Sequence, residues 1–255
     1  MTSLTFQNIV DDGALLFLET HHHQDDRFDE WGYERWDSQD QLSTIDFRFT
    51  GRPPLTAKNA VFLGTAGPGP RTYLWAWANQ QVNTTDAQQS AFDQILQFGR
   101  YYGIAEITAN EVPFAVLVPA YADEEELLNA AKGGATLTGF KIAVAAKMMT
   151  GLPNHFVVDI GQGSTAVVAY QHPELQLGSP SALTFQFRLT EAMAGGLIAD
   201  HRRAVESYSR LRAVPATAVN DRTVRLEFED GFVQIQFDDR GQAADISGNY
   251  SSSKP

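Results

Sequence analysis

"TVRLEFEDGFVQIQFDD", residues 223–239, constrains the fold of this chain more than any other stretch. Apolar and polar residues alternate on both sides of Asp230-Gly231. Alternation of this kind puts successive side chains on opposite faces of a strand. An Asp-Gly pair between two such runs predicts a two-residue type I′ hairpin turn. Folding the stretch there sets Phe228 against Val233, Leu226 against Ile235 and Val224 against Phe237. All six share one face, and Arg225, Glu227, Gln234 and Gln236 share the other. A one-residue slip would exchange the faces, so the pattern demands an antiparallel sheet with one buried side. "DDRG" predicts a further turn into "QAADIS", which extends the hairpin to a short β-meander.

Upstream, residues 3–20 are expected to be helical, with Leu4, Ile9, Leu15, Leu16 and Leu18 as apolar members. The "HHHQDDRFDEWGYERWDSQDQ" that follows reads as polar, aromatic and irregular. "STIDFRFTG" alternates Ile45, Phe47 and Phe49 against Asp46, Arg48 and Thr50, a half-buried strand that "RPPL" should end. "AKNAVFLGT" and "RTYLWAWAN" predict two strands joined by a Gly- and Pro-rich turn; Tyr73, Trp75, Trp77 and Asn79 fall on one face of the second. Thr85 and Gln88 form a capping-box pattern before a helix with the stripe Phe92, Ile95, Leu96 and Tyr102, stopped by Gly103. "IAEITA" reads as a short strand. "DEEELLNAAKGG" reads as a helix closed by Gly133 and Gly134, and "FKIAVAAKMMTGLP" as a helix ended by Gly151 and Pro153. "HFVVDIGQGSTAVVAYQHP" predicts two strands around "GQGS". A long helix is expected from about Thr190 to Arg212, because Leu197, His201, Ala204, Tyr208 and Leu211 follow helical spacing.

These elements predict an α+β fold of antiparallel sheets with packed helices, in which a C-terminal long helix precedes the β-meander. "QHPELQLGSPS" is the best boundary, being turn-rich between apolar segments. Residues 1–175 are expected to form an N-terminal α+β domain, 176–250 a helix plus β-meander that is either separate or continuous with it, and 251–255 a disordered tail.

Composition narrows function mainly by exclusion. With 255 residues, 43% of them hydrophobic, the chain can bury a core without staples. It has no cysteine, which rules out disulfides, thiolate catalysis and Cys-based zinc sites and fits a reducing cytoplasm. A net charge of −12 disfavours nucleic acid and anionic membranes as partners. The N-terminus has no basic region of the signal-peptide kind, and no apolar run approaches the roughly 18 residues of a membrane span. A soluble cytoplasmic protein is expected. Its oligomeric state is not legible.

Four features carry candidate chemistry. "VVDIGQGSTAVVAY" is similar to the first phosphate loop of the actin, heat-shock chaperone and sugar-kinase superfamily. That resemblance implies phosphate contact by Asp159, Gly161, Gly163, Ser164 and Thr165. Only 90 residues follow Thr165, too few for the superfamily's remaining motifs, and a tight hairpin needs the same glycines. "HHHQDD" at 21–26 offers imidazoles and carboxylates, but consecutive histidines splay apart, so a solvated loop without metal is expected. Asp200, His201 and Arg202 sit together on the expected long helix and His155 precedes the "VVDIG" strand, so Ser164 completes a Ser/His/Asp set on paper, with no Gly-x-Ser-x-Gly elbow to support it. Finally, Trp75, Trp77 and Asn79 suit either an aromatic ligand wall with a polar handle or an ordinary core, and core packing is the expectation.

"FLGT…YLWAWANQ" followed by "FGRYYGI" resembles an uncharacterised bacterial family marked by a Leu-Trp-x-Trp-Ala-Asn strand. The resemblance is strongest over 60–103 and implies an α+β fold without transferring catalytic residues. The expected function is therefore non-catalytic binding of a protein or small-molecule partner, with no cofactor. The alternative is a nucleotide- or phosphate-dependent enzyme using the turn at 159–165.

Overall fold

The computed structural model describes residues 4–39, 42–82, 84–117 and 131–250. Two compact units emerge: Met1–Phe6 with Gln24–Leu175, and Gln7–His23 with Gln176–Pro255. The first helix, α1 (Phe6–Glu30), contributes to both.

In the first unit, β1 (Tyr33–Gln39), β2 (Thr44–Phe49) and β3 (Arg52–Lys58) form an antiparallel sheet in that order. Ile45, Phe47 and Phe49 of β2 are buried as their alternation requires. Phe47 meets Phe28, Phe156 and Tyr170 at ring distances of 4.9, 5.4 and 5.4 Å. Pro53 and Pro54 open β3 rather than only ending β2. They are tolerated because β3 is an edge strand and the register jumps over them, from Phe49 opposite Arg52 to Phe47 opposite Leu55.

Next come β4 (Val61–Gly67), β5 (Thr72–Trp75), a 3-10 turn (Ala76–Ala78), α2 (Asp86–Tyr102), α3 (Ala105–Thr108), β6 (Glu111–Pro113), α4 (Phe114–Leu117), α5 (Ala131–Thr150), β7 (Asn154–Gly161) and β8 (Ser164–Tyr170). The strands make a five-stranded antiparallel sheet in the order β6-β5-β4-β8-β7. The α5 helix is buried continuously from Lys141 to Lys147 and packs on β8, β4 and α2. Gly151, with φ of +72°, follows its end.

Several elements differ from those the sequence predicts. The "HHHQDDRFDE" stretch is helix, not loop, because nothing between Gly13 and Gly32 breaks α1. Its buried stripe runs through Val10, Ala14, Phe17, Gln24 and Phe28, and the polar Gln24 disguises it. Gln24 is satisfied where it lies, accepting a 2.7 Å hydrogen bond from the Tyr170 hydroxyl. The "YERWDSQ" that follows is a strand rather than irregular. "IAEITA" supplies the short helix α3, not a strand. The left-handed Gly103 turns the chain back, and Ile107 lies so close to Gly99 of α2 that a Cβ there would be 2.7 Å from it. Gly133 and Gly134 lie inside α5 rather than closing a helix; most of "DEEELLNAAKGG" falls outside the described residues.

In the second unit, residues 7–23 of α1 accompany α6 (Ala182–Ala194), α7 (His201–Arg212), β9 (Ala216–Asn220), β10 (Thr223–Phe228), β11 (Gly231–Phe237) and β12 (Ala243–Tyr250). The sheet is the expected antiparallel meander, extended to four strands by β9, in the order β12-β11-β10-β9. The expected long helix is two. Gly195 and Gly196 end α6, the latter at φ of +63°, and Asp200 caps α7 by accepting the Arg203 N–H at 2.9 Å. Buried Asp11 holds the connection, accepting N–H groups of Ala199 and Asp200 at 2.8 and 3.3 Å. Burial pushes its carboxyl above the usual range.

The meander register also differs from expectation. Leu226 faces Val233, Val224 faces Ile235, and Phe228 faces Gly231, so the turn residues are Glu229 and Asp230. A two-residue shift leaves every side chain on its face, which is why patterning alone cannot distinguish the registers. The turn is selected by its surroundings. The Asp230 carboxylate accepts the Ala182 N–H at the start of α6. A Cβ on Gly231 would fall 2.1 Å from the Asn249 carbonyl oxygen of β12. Residues 251–255 lie outside the described residues.

Candidate binding surface

The tryptophan segment does not stay extended. β5 ends at Trp75, and Trp77 sits in the 3-10 turn instead of on the strand face. Its ring nevertheless stacks on Trp75 at 4.4 Å and 12°, and meets Phe92 of α2 edge-on at 5.6 Å. Trp75 is fully buried, and its indole N–H donates to the Glu106 carbonyl at 3.0 Å. Trp77 and Asn79 are half-buried. The Asn79 side chain closes its own turn by accepting the Gln81 N–H at 3.0 Å.

The Gly-rich stretch is a two-residue hairpin turn between β7 and β8, with Gly161 opposite Ser164. Gln162 and Gly163 both take left-handed φ values, 54° and 74°, as a type I′ turn requires. The Asp159 carboxylate accepts the Gly161 N–H at 2.7 Å. Asp159 and Gly161 are exposed, Ser164 is half-buried, and Gly163 and Thr165 are buried.

Ser164 belongs to the first unit, Asp200 and His201 to the second. His201 Nδ1 accepts the Ala243 N–H at 3.0 Å, and burial holds its pKa below the usual imidazole value. Of the histidines at 21–23 on α1, the His21 and His22 rings meet edge-on at 5.7 Å. His22 pairs with Glu191 at 2.8 Å, and His21 stacks on Phe17. Among the described residues, no group of three or more His, Cys, Asp or Glu side chains could hold a metal ion.

An exposed aromatic surface lies elsewhere. Thr85 caps α2 with a complete capping box, accepting the Gln88 N–H while its own N–H donates to the Gln88 side chain. One face of α2 is then core: Gln88, Ala91, Phe92, Ile95 and Gly99. A second stripe, Gln94, Gln97, Phe98 and Tyr101, follows the helical i, i+3, i+4, i+7 spacing on another face. With Tyr102 and Met149 of α5 it lines a groove of about 260 Å³. Gln94 fixes the two walls together by donating to the Met149 carbonyl at 2.7 Å. Phe98 and Tyr101 flank Tyr102, with ring distances of 4.7 and 4.8 Å, the latter pair at 84°. Tyr101 is 80% exposed and Tyr102 44%. The helical stripe read from the sequence puts Tyr102 on the core face and leaves Tyr101 out, whereas both are exposed. The available signal was a second helical stripe in "QILQFGRYYG", offset from the first.

A family model matches residues 7–173. The chain belongs to a family of unknown function, DUF6882. The matched span contains the groove, the tryptophan turn and the Gly-rich hairpin; α6 through β12 lie beyond it. No curated protein and no solved structure matches the chain. Among the described residues, no helix is long and apolar enough to cross a membrane.

Proposed function

We propose that this protein is a non-catalytic binding protein whose groove between α2 and α5 receives a partner. The observation that carries the reading is the exposure of Tyr101 and Tyr102 beside Phe98, on a helix whose other face is tightly packed. Covering a large aromatic side chain is worth about 1.5–3 kcal/mol, and rigid aromatics lose little entropy when bound. A ligand resting on Trp77 and Asn79 is a variant of the same reading, with Trp75 as packing beneath it. The reading places the protein in a bacterial cytoplasm, where a chain without cysteine suits a reducing medium.

The test is panning of a random peptide library on the full-length protein. Enriched peptides that are lost on both Tyr101→Ala and Tyr102→Ala support the groove. Absence of enrichment, or equal retention by the variants, refutes it.

The nucleotide- or phosphate-dependent enzyme is the second reading. In its favour, left-handed backbone at Gln162 and Gly163 can gather N–H groups into an anion-binding concavity. It has to accommodate an Asp159 carboxylate already bonded to Gly161. ATP with Mg²⁺ should raise the melting temperature under this reading and leave it unchanged under the first.

A further inference from the structure

We infer that the turn between β11 and β12 is a proton-sensitive latch. Neutral His201 fastens it to the N-terminus of α7, and uptake of a proton by that imidazole releases it.

The turn, Asp238 to Gln242, holds its own shape. The Asp238 carboxylate accepts the N–H groups of Arg240 and Gln242 at 2.8 and 2.9 Å, and the Gly241 N–H donates to the Asp238 carbonyl at 3.1 Å. Other hydrogen bonds tie it to the start of α7, within the second unit. The Arg202 N–H donates to the Gly241 carbonyl at 3.1 Å, so the turn caps the helix. The Gln242 side-chain amide donates to the Ala199 carbonyl at 2.7 Å. At the first residue of β12, the Ala243 N–H donates to His201 Nδ1 at 3.0 Å.

Of these ties only the last can be switched by a proton. A backbone N–H can only donate, so this bond exists only while Nδ1 is unprotonated. A charged imidazole has two donors and no acceptor, and would aim one of them at the Ala243 N–H. It would also put a cation on the first residue of α7, where free N–H groups already carry positive partial charge.

The surrounding carboxylates pull the other way. Asp11 of α1, Asp200 before the ring and Asp238 of the turn all favour a charged imidazole. Each already accepts backbone N–H groups: Asp11 those of Ala199 and Asp200, Asp200 that of Arg203, and Asp238 those of the turn. Among the neighbouring cations, Arg202 is drawn to the Phe237 ring and the Asp221 carbonyl, and Arg240 lies beside Asp238. Burial outweighs the carboxylates and holds the imidazole below its usual value. The released ring therefore takes its proton near 6.5, and the fastened ring only at lower pH. Above that interval the latch is closed; within it, opening grows by up to about ten-fold per pH unit. The other two titrating groups do not open it. Burial raises the Asp11 carboxyl, so the closed form gains that proton more readily than an unfolded one. Backbone hydrogen bonds hold Asp238 low, so it stays ionised through the imidazole range.

The experiment is amide hydrogen exchange of the full-length protein, read by NMR between about pH 7.5 and 5, with the His201 ring titrated in the same samples. After correction for the intrinsic pH dependence of exchange, the Ala243 and Arg202 amides should lose protection by up to about ten-fold per pH unit below about 6.5. Amides that pair β10 with β11 should keep theirs. His201→Asn places a carbonyl oxygen where Nδ1 lies and cannot titrate, so Ala243 should stay protected throughout. Constant protection in the wild type, a slope that survives in His201→Asn, or loss at β10 and β11 in step with the turn would overturn the inference. If His201→Asn does not fold, the wild-type ring decides: titration below its ordinary value, in step with Ala243, supports the latch, and titration at or above that value overturns it.

Discussion

Replacing Trp75 and Trp77 by alanine, singly and together, tests whether the paired indoles are core. Trp75 has no exposed surface and donates to the Glu106 carbonyl. Truncating a buried Trp typically costs about 3–5 kcal/mol, and a part-buried carbonyl that loses its donor adds up to about 1–3. Trp75→Ala should therefore cost roughly 4–8 kcal/mol, a large share of the 5–15 that holds a typical domain folded. Trp77 is half-buried in a turn, with one face on Trp75 and an edge on Phe92. About half the burial is at stake, so Trp77→Ala should cost about 2 kcal/mol. The double variant should fall short of the sum by about 0.5–1.5 kcal/mol, the value of an aromatic pair beyond its area. Urea unfolding followed by far-ultraviolet circular dichroism measures the costs. Native-state hydrogen exchange at β5 and α2 assigns them to the first unit, which matters in a chain of two units. Equal costs for the two variants would refute the half-buried position of Trp77. A stable Trp75→Ala would refute the core reading altogether.

Three further outcomes are expected. Gly231→Val should destabilise the meander severely, because its Cβ would meet the Asn249 carbonyl at 2.1 Å; loss of exchange protection along β12 is the readout, and a normal β12 would mean the strands are not so close. Stability should fall as pH drops through the imidazole range. Burial lowers the pKa of both His201 and His172 below 6.5, so the unfolded chain takes up protons first; the loss begins near 6.5 and continues to the lowered folded values. His201→Gln should flatten that slope, and an unchanged slope would show that neutral His201 does not matter. Chelator treatment should leave the melting temperature unaltered, since His22 is engaged by Glu191; a drop reversed by zinc would establish a metal role for residues 21–23.

Legibility followed the range of the interaction. The α2 boundaries were readable because Thr85, Gln88 and Gly103 act within a few residues of the backbone they cap. The β7–β8 hairpin was readable for the same reason. The C-terminal half of α1 was hidden by Gln24, a polar residue on a buried stripe whose partner, Tyr170, lies 146 positions away. The groove is not legible in the sequence because Phe92 and Tyr102 look alike there. Only the packing of α2 against its neighbours buries the first and leaves the second exposed.

By itself the sequence determined the α+β class, the antiparallel hairpins, and the face on which each meander residue lies. Side-chain periodicity and backbone preference at glycine are local properties of the chain. Tertiary structure decided the rest. It chose between two meander registers that present the same faces, through the Asp230 bond to Ala182 and the close passage of β12 over Gly231. It divided the long C-terminal helix at Gly195 and Gly196, where Asp11 supplies acceptors for the backbone N–H groups of Ala199 and Asp200. It also set which aromatic side chains meet water. Burial is a relation between distant segments, and no local pattern encodes it.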